Sequence, residues 1–340
     1  MAKVLGLCFL AACGSPPART PHAEVAPTFK RSVIALPGAG ADGVLMDYLL
    51  FDTRTDSVWV PAGNTGSVDV IDARTHAVSR ISGFPTKEVE RKGQMRTVGP
   101  SAAALGAAGT VYVGSRGDQT VCAVDEKTLK KGTCGTLDAM PDGIAYVAST
   151  REVWVTTPRD RSIRILDATT LAQKARLEFD GEPEGFAVDG TRGVFYTNLE
   201  DKDLTLAISL ASHETTATWH PTCGEDGPHG LRLAEHEGQL IVACPAEVHV
   251  LEVVHGALVG KLAVGDGVDD VDLDPASHLV YAAGGEAGTI TIATLAANGS
   301  LARYATAPTD KGARNAVVSA GGEVFVAHSH GGQIVVLTPE

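Results

Sequence analysis

Along this chain, apolar and polar residues alternate with a period of two in short runs, and no long amphipathic helical pattern occurs anywhere. Ser57-Val58-Trp59-Val60 and Ser67 to Asp72 are two such runs. Asn64-Thr65-Gly66 between them is hairpin chemistry, because Asn and Gly tolerate positive φ. Asp72-Ala73-Arg74-Thr75 is a second turn, so Tyr48 to Ile81 predicts four short antiparallel strands. One such meander cannot bury both faces and needs neighbours. The pattern supplies them by returning six more times. The central residues of the second strands are Trp59, Tyr112, Trp154, Phe195, Ile241, Val280 and Phe325. Their spacing is close to the period of about 40–45 residues that a four-stranded propeller blade needs. The first interval is longer because residues 82–99 insert a polar, charged loop. The seventh unit stops at its third strand, GQIVVLTPE, whereas Phe29 to Leu36 precedes the first unit and alternates like a fourth strand. The pattern therefore predicts an all-β, seven-bladed β-propeller over 29–340, its last blade closed by the N-terminal strand, which protects the edges of the array. The aromatic residues that recur at one blade position are expected to pack in the core.

The run VWVPAGNTGSVDVIDARTHAVSRI, followed by Gly83-Phe84-Pro85, resembles the YVTN-type (YncE-like) β-propeller repeat. The resemblance spans 29–340, is strong in the first and third blades and is degenerate in the fifth and sixth. It implies the propeller fold but specifies function poorly, since that family mixes binding proteins with members of unknown role. Fold alone does not fix chemistry.

The N-terminus belongs to a different class of segment. Residues 1–13, MAKVLGLCFLAAC, combine a basic Lys3 with an apolar run too short to span a bilayer. Leu10-Ala11-Ala12-Cys13 resembles a bacterial lipobox, which implies cleavage before Cys13 and lipidation of its thiol. Residues 14–28 are rich in Pro and Ala and are expected to be a tether. The chain is thus expected to be exported and lipid-anchored, facing periplasm or surface. Gly14 after Cys13 points to the outer membrane rather than retention at the inner one.

Charge narrows the partners. The formal net charge is −13 and no Lys/Arg cluster stands out in the linear sequence. That argues against nucleic acid, whose binding rests on neutralising phosphates. A monomer touching the membrane only through its lipid is expected. Cys122, Cys134, Cys223 and Cys244 remain outside the leader, an even number for an oxidising compartment. Three connectivities exist; a third-to-fourth-strand hairpin sets Cys122 opposite Cys134, which favours Cys122–Cys134 and Cys223–Cys244. The sequence holds no C-x-x-C-H haem motif, no G-x-S-x-G elbow and no phosphate loop followed by a helix.

In a propeller, the loops entering the inner strands share one face with the loops between second and third strands. The equivalent positions before or within each inner strand are Asp47, Ser101, Asp142, Glu184, His229, Asp269 and Arg314. Converging acids repel, raise one another's pKa, or hold a cation. A divalent ion such as calcium or zinc is therefore a candidate cofactor, with Glu184, Asp269 and His229 as ligands and Arg314 as a partner for Asp269. Asp and Gly are also ordinary turn residues, and a channel rim can simply be solvated. Three function classes follow. The first is a non-catalytic propeller that binds an envelope protein or a small ligand at the channel mouth. The second is a metal-dependent lactonase or hydrolase, similar to the six-bladed gluconolactonase and regucalcin-like propellers. The third is a quinoprotein-like redox subunit.

Overall fold

The computed structural model describes residues 27–340 except positions 92 and 108. The expected leader, Cys13 and most of the tether lie outside the described residues. Among those described, no helix is long and apolar enough to cross a membrane.

The described residues form seven four-stranded antiparallel sheets, together with one separate two-stranded hairpin. In the first blade, Leu50–Asp52, Ser57–Ala62, Ser67–Asp72 and Val78–Ser82 pair in chain order. The turns recur because the chemistry recurs. Asp72 Oδ1 accepts the N–H groups of Arg74 and Thr75 and the Thr75 hydroxyl, at 2.8–3.0 Å. Asp125 with Thr128 and Asp167 with Thr170 repeat that turn. The next residue is left-handed each time: His76, Leu129 and Leu171.

The middle strands are buried on both faces, because each sheet is covered by its two neighbours; Ser57–Ala62 and Glu152–Thr157 are buried at every residue. The core is accordingly divided into seven apolar clusters, each joining two adjacent blades. The repeated aromatics lie in these layers, as expected: Trp154 stacks on Phe195 of the next blade, centroids 4.7 Å apart.

Ring closure follows the predicted route. Phe29–Ala35 pairs antiparallel with Gln333–Pro339, without a register shift. One cluster then joins Ile34, Phe325 and Val336 of the last blade to Val58 and Ile71 of the first. Both expected disulfides are formed, Cys122–Cys134 and Cys223–Cys244. Cys122 and Cys134 are direct cross-strand partners.

The insertion at 82–99 differs from the expected loop. Lys87–Arg91 and Gln94–Val98 form a hairpin, turning at Gly93 with φ 76°. Its strands alternate in charge more than in hydrophobicity, so their period is invisible to an apolar pattern.

Candidate functional site at the channel mouth

The inner strands carry a repeated irregularity where they meet the channel. Their pairing with the second strands shifts register between Pro100 and Ala102, Pro183 and Phe186, Val268 and Val271, and Arg314 and Ala316. Such bulges re-aim side chains. In the sixth blade, Asp269 lines the mouth while its neighbour Asp270 is buried against Arg232, whose Nη2 lies 3.1 Å away. In the seventh, Arg314 lines the mouth while the buried Asn315 donates to the Asp47 carbonyl at 3.1 Å.

A cavity of ≈ 790 Å³ opens at this face. Asp47, Asp142, Glu184, His229, Asp269 and Arg314 all line it. Every blade but the second thus contributes its expected residue. Ser101 is buried below the rim, and its hydroxyl lies 3.1 Å from the Asp142 carbonyl oxygen and 3.3 Å from that of Pro141. It positions the Asp142 loop and makes no pair with His229.

Two local arrangements occupy the rim. In the first, Arg116 donates to Asp47 Oδ2 at 2.5 Å and also to Asp142, tying three blades together. Burial pushes the Asp142 carboxyl up to about 6; Arg116 opposes the shift and Asp47 adds to it. Its Oδ2 is buried without a hydrogen-bond partner.

In the second, ligand atoms of Glu184, Glu200 and His229 lie within 4.8 Å of one another. Glu200 begins a short turn after the strand Val194–Leu199, and its N–H donates to the Glu182 carbonyl at 3.0 Å. His229 is held by its backbone: Asn198 Nδ2 donates to its carbonyl at 2.7 Å. Gly185 permits the approach, since a Cβ there would come within 2.0 Å of that same oxygen. Burial raises Glu184 well above the usual carboxylate range, and the bond to Glu200 and nearby acids add to the effect. Burial also works against a charge on Glu200, but contacts with His229 and a protonated Glu184 bring it down to about 2. Burial would lower His229, yet Glu200 outweighs it and the imidazole is raised. The Nδ1–Oε1 separation of 3.2 Å is an ion-pair distance, although Nδ1 is not aligned for a hydrogen bond. Proton binding is thus favoured at Glu184 and at His229 and disfavoured at Glu200, a set that a cation could enter by displacing protons.

The expected ligand trio is changed in one member. Glu200, and not Asp269, completes the close group with Glu184 and His229. Asp269 instead takes the expected partner, with Arg314 Nη1 at 3.0 Å from its Oδ1.

Sequence reasoning missed a second ring of residues. Arg116, Arg159, Glu200 and Glu286 also line the cavity, from the loops between second and third strands, and Arg91 and Arg96 reach it from the hairpin. The loop residues recur about five positions after Tyr112, Trp154, Phe195 and Val280, a signal readable from the repeat. The hairpin arginines had no such signal.

No family model matches the chain, and no curated protein matches it. Solved structures do. A chain of the mitotic checkpoint complex is 15% identical with TM-score 0.73, covering 98% of this chain and 99% of that one. The WD40 repeats of RRP9 are 11% identical with TM-score 0.74, covering 93% and 99%. Streptogramin B lyase is 11% identical with TM-score 0.71, covering 92% and 98%. These likenesses agree with the seven sheets: the molecule is a seven-bladed β-propeller. Identity this low speaks for the fold alone.

Proposed function

We propose that this is a binding propeller that takes its ligand at the channel mouth. The observation that supports it best is the convergence of Asp47, Asp142, Glu184, His229, Asp269 and Arg314 on one open cavity of ≈ 790 Å³. Pre-formed concave sites of about 300–1,000 Å³ with convergent polar groups are where small ligands bind. Fold packing requires none of these charges, and an uncharged rim would repel itself less. The neighbours named above include protein-assembly propellers, which is consistent with a partner protein as an alternative occupant. The lipobox resemblance at Cys13 supports a lipid-anchored protein at the cell envelope.

The test is a thermal-shift screen of a chemically mixed small-molecule set, with a pull-down from envelope extract, on wild type and Glu184→Ala/Asp269→Ala. Hits that the double variant loses support the reading. If every hit survives the double substitution, the mouth is not the site. For the anchor, Cys13→Ser should move the protein to the soluble periplasmic fraction, and a wild type that is already soluble contradicts it.

A second reading, a metal-dependent hydrolase, is favoured by the Glu184–Glu200–His229 group alone. Two carboxylates and an imidazole suit a divalent ion, which would polarise a substrate carbonyl. Zinc or calcium should then raise the melting temperature and release protons, and lactones or esters should be cleaved. A flat metal titration sinks this reading and leaves the first intact.

A further inference from the structure

We propose that Arg91, Arg96 and Arg159 form a carboxylate-binding subsite that orients a dipolar small molecule across the mouth, its cationic end toward the acids of the fourth to sixth blades. This deepens the binding reading and rests on it.

The hairpin supplies the first argument. Val89 pairs with Arg96 and Arg91 with Gln94, so Val89, Arg91, Arg96 and Val98 share one face. That face is the one that lines the cavity. Glu88 and Glu90 alternate with these positions and belong to the opposite face. An insertion serving only as a solvated connection has no reason to sort its charges by sign. This one presents its arginines to the mouth and turns its acids away.

The second argument is what these arginines lack. Arg116 is engaged by Asp47 and Asp142, and Arg314 by Asp269. Arg91, Arg96 and Arg159 line the same cavity and have no carboxylate partner among the described residues. Burial holds Arg159 below the usual guanidinium range, and the charges of Arg91 and Arg116 push it the same way, outweighing the opposing pull of Asp142 and Glu182. Gathered guanidiniums without a direct ion-pair partner repel one another, and an oxyanion placed among them relieves that repulsion.

The third argument is selectivity. Every lining cation other than His229 is an arginine and none is a lysine. The planar fork of arginine matches a carboxylate bidentately. The same cavity is also lined by the acids Glu182, Glu200, Asp226, Asp266 and Glu286, of which Glu182 acts on Arg159 and Glu200 feels Arg91. A polyanion would meet that field, whereas a monoanionic carboxylate on a molecule with a positive far end is matched at both ends. Free amino acids and short peptides have this chemistry.

Binding of defined dipeptides, each with its C-terminal amide and its N-acetyl form, tests the proposal by calorimetry on the intact protein. Wild type should bind free dipeptides, and amidation should weaken binding by about tenfold or more. Arg91→Ala/Arg159→Ala should cause the same loss for the free peptide and little further loss for the amide. Arg159→Lys should fall between, since it keeps the charge and loses the fork. N-acetylation should weaken binding in wild type and Arg variants alike. The subsite is overturned if no free dipeptide binds, if amide and free acid bind equally, or if the double arginine variant binds as wild type does. Inorganic phosphate displacing the peptide better than acetate would assign the arginines to phosphate and overturn the carboxylate. Binding indifferent to amidation and to the arginines, but lost in Glu184→Ala/Asp269→Ala, would retain the mouth as the site and remove only the subsite.

Discussion

Single residues at the mouth are predicted to make stability depend on pH. Asp142 has a folded-state value of about 6 against an ordinary 3.8, mainly through burial. A carboxyl raised on folding holds its proton more tightly in the native state. It favours folding at low pH, and that contribution is lost as pH rises through the folded value. Across the window from 3.8 to about 6 the swing amounts to about 3 kcal/mol. Asp142→Asn removes it. The stability of wild type relative to the variant should therefore be greatest near pH 4 and fall by about pH 7. Chemical denaturation at several pH values measures the difference, and a flat difference would mean that Asp142 is not raised. The Glu184–Glu200–His229 group is subject to the same logic at one remove: a metal entering it must displace the Glu184 proton, so metal affinity should strengthen as pH rises.

At the scale of elements, the hairpin and the disulfides carry opposite expectations. The hairpin belongs to no blade. Replacing residues 88–97 with a short Gly/Ser turn should leave the far-ultraviolet spectrum unchanged and the melting temperature nearly so, while binding of any ligand held by Arg91 falls. A large loss of stability would show that the hairpin is structural. The Cys122–Cys134 bridge closes a loop with sequence separation 12 and ties the third strand of the second blade to its fourth. Replacing both cysteines with Ser should cost about 3 kcal/mol, chiefly by freeing the unfolded chain. Denaturant unfolding in parallel with wild type checks this. A change below about 1 kcal/mol would mean that the cross-strand register alone holds the hairpin.

For the whole molecule, the closure of the ring decides stability. Each apolar cluster is shared by two blades, so no blade has a core of its own. Deleting 29–35 leaves Gln333–Pro339 as an unpaired edge and removes Ile34 from the cluster between the last and first blades. The deletion should melt well below wild type and aggregate through the exposed edge. Light scattering during a thermal ramp reads both. An unchanged melting temperature would show that the closing strand contributes little beyond the other six interfaces.

The alternation of strands such as Ser57–Ala62, the Asp-x-x-Thr turns and the spacing of the aromatic positions determine the propeller from the sequence alone. They do so because each blade is a local unit: its strands are neighbours in the chain and its turns are satisfied by residues three apart. Even the closing strand was legible, as a strand surplus at one end and a deficit at the other. The rim residues were legible only as positions, since repeat spacing says which residue meets the channel and not what faces it. That Glu200 rather than Asp269 joins Glu184 and His229 was decided by the tertiary structure. So was the gathering of arginines from residues 91, 96, 116, 159 and 314 on one mouth of a chain whose linear sequence shows no basic cluster. The bulges that aim Asp269 outward and Asp270 inward depend on strand pairing. The meeting of blades around an axis sums charges far apart in the chain, and no window along the sequence contains that sum.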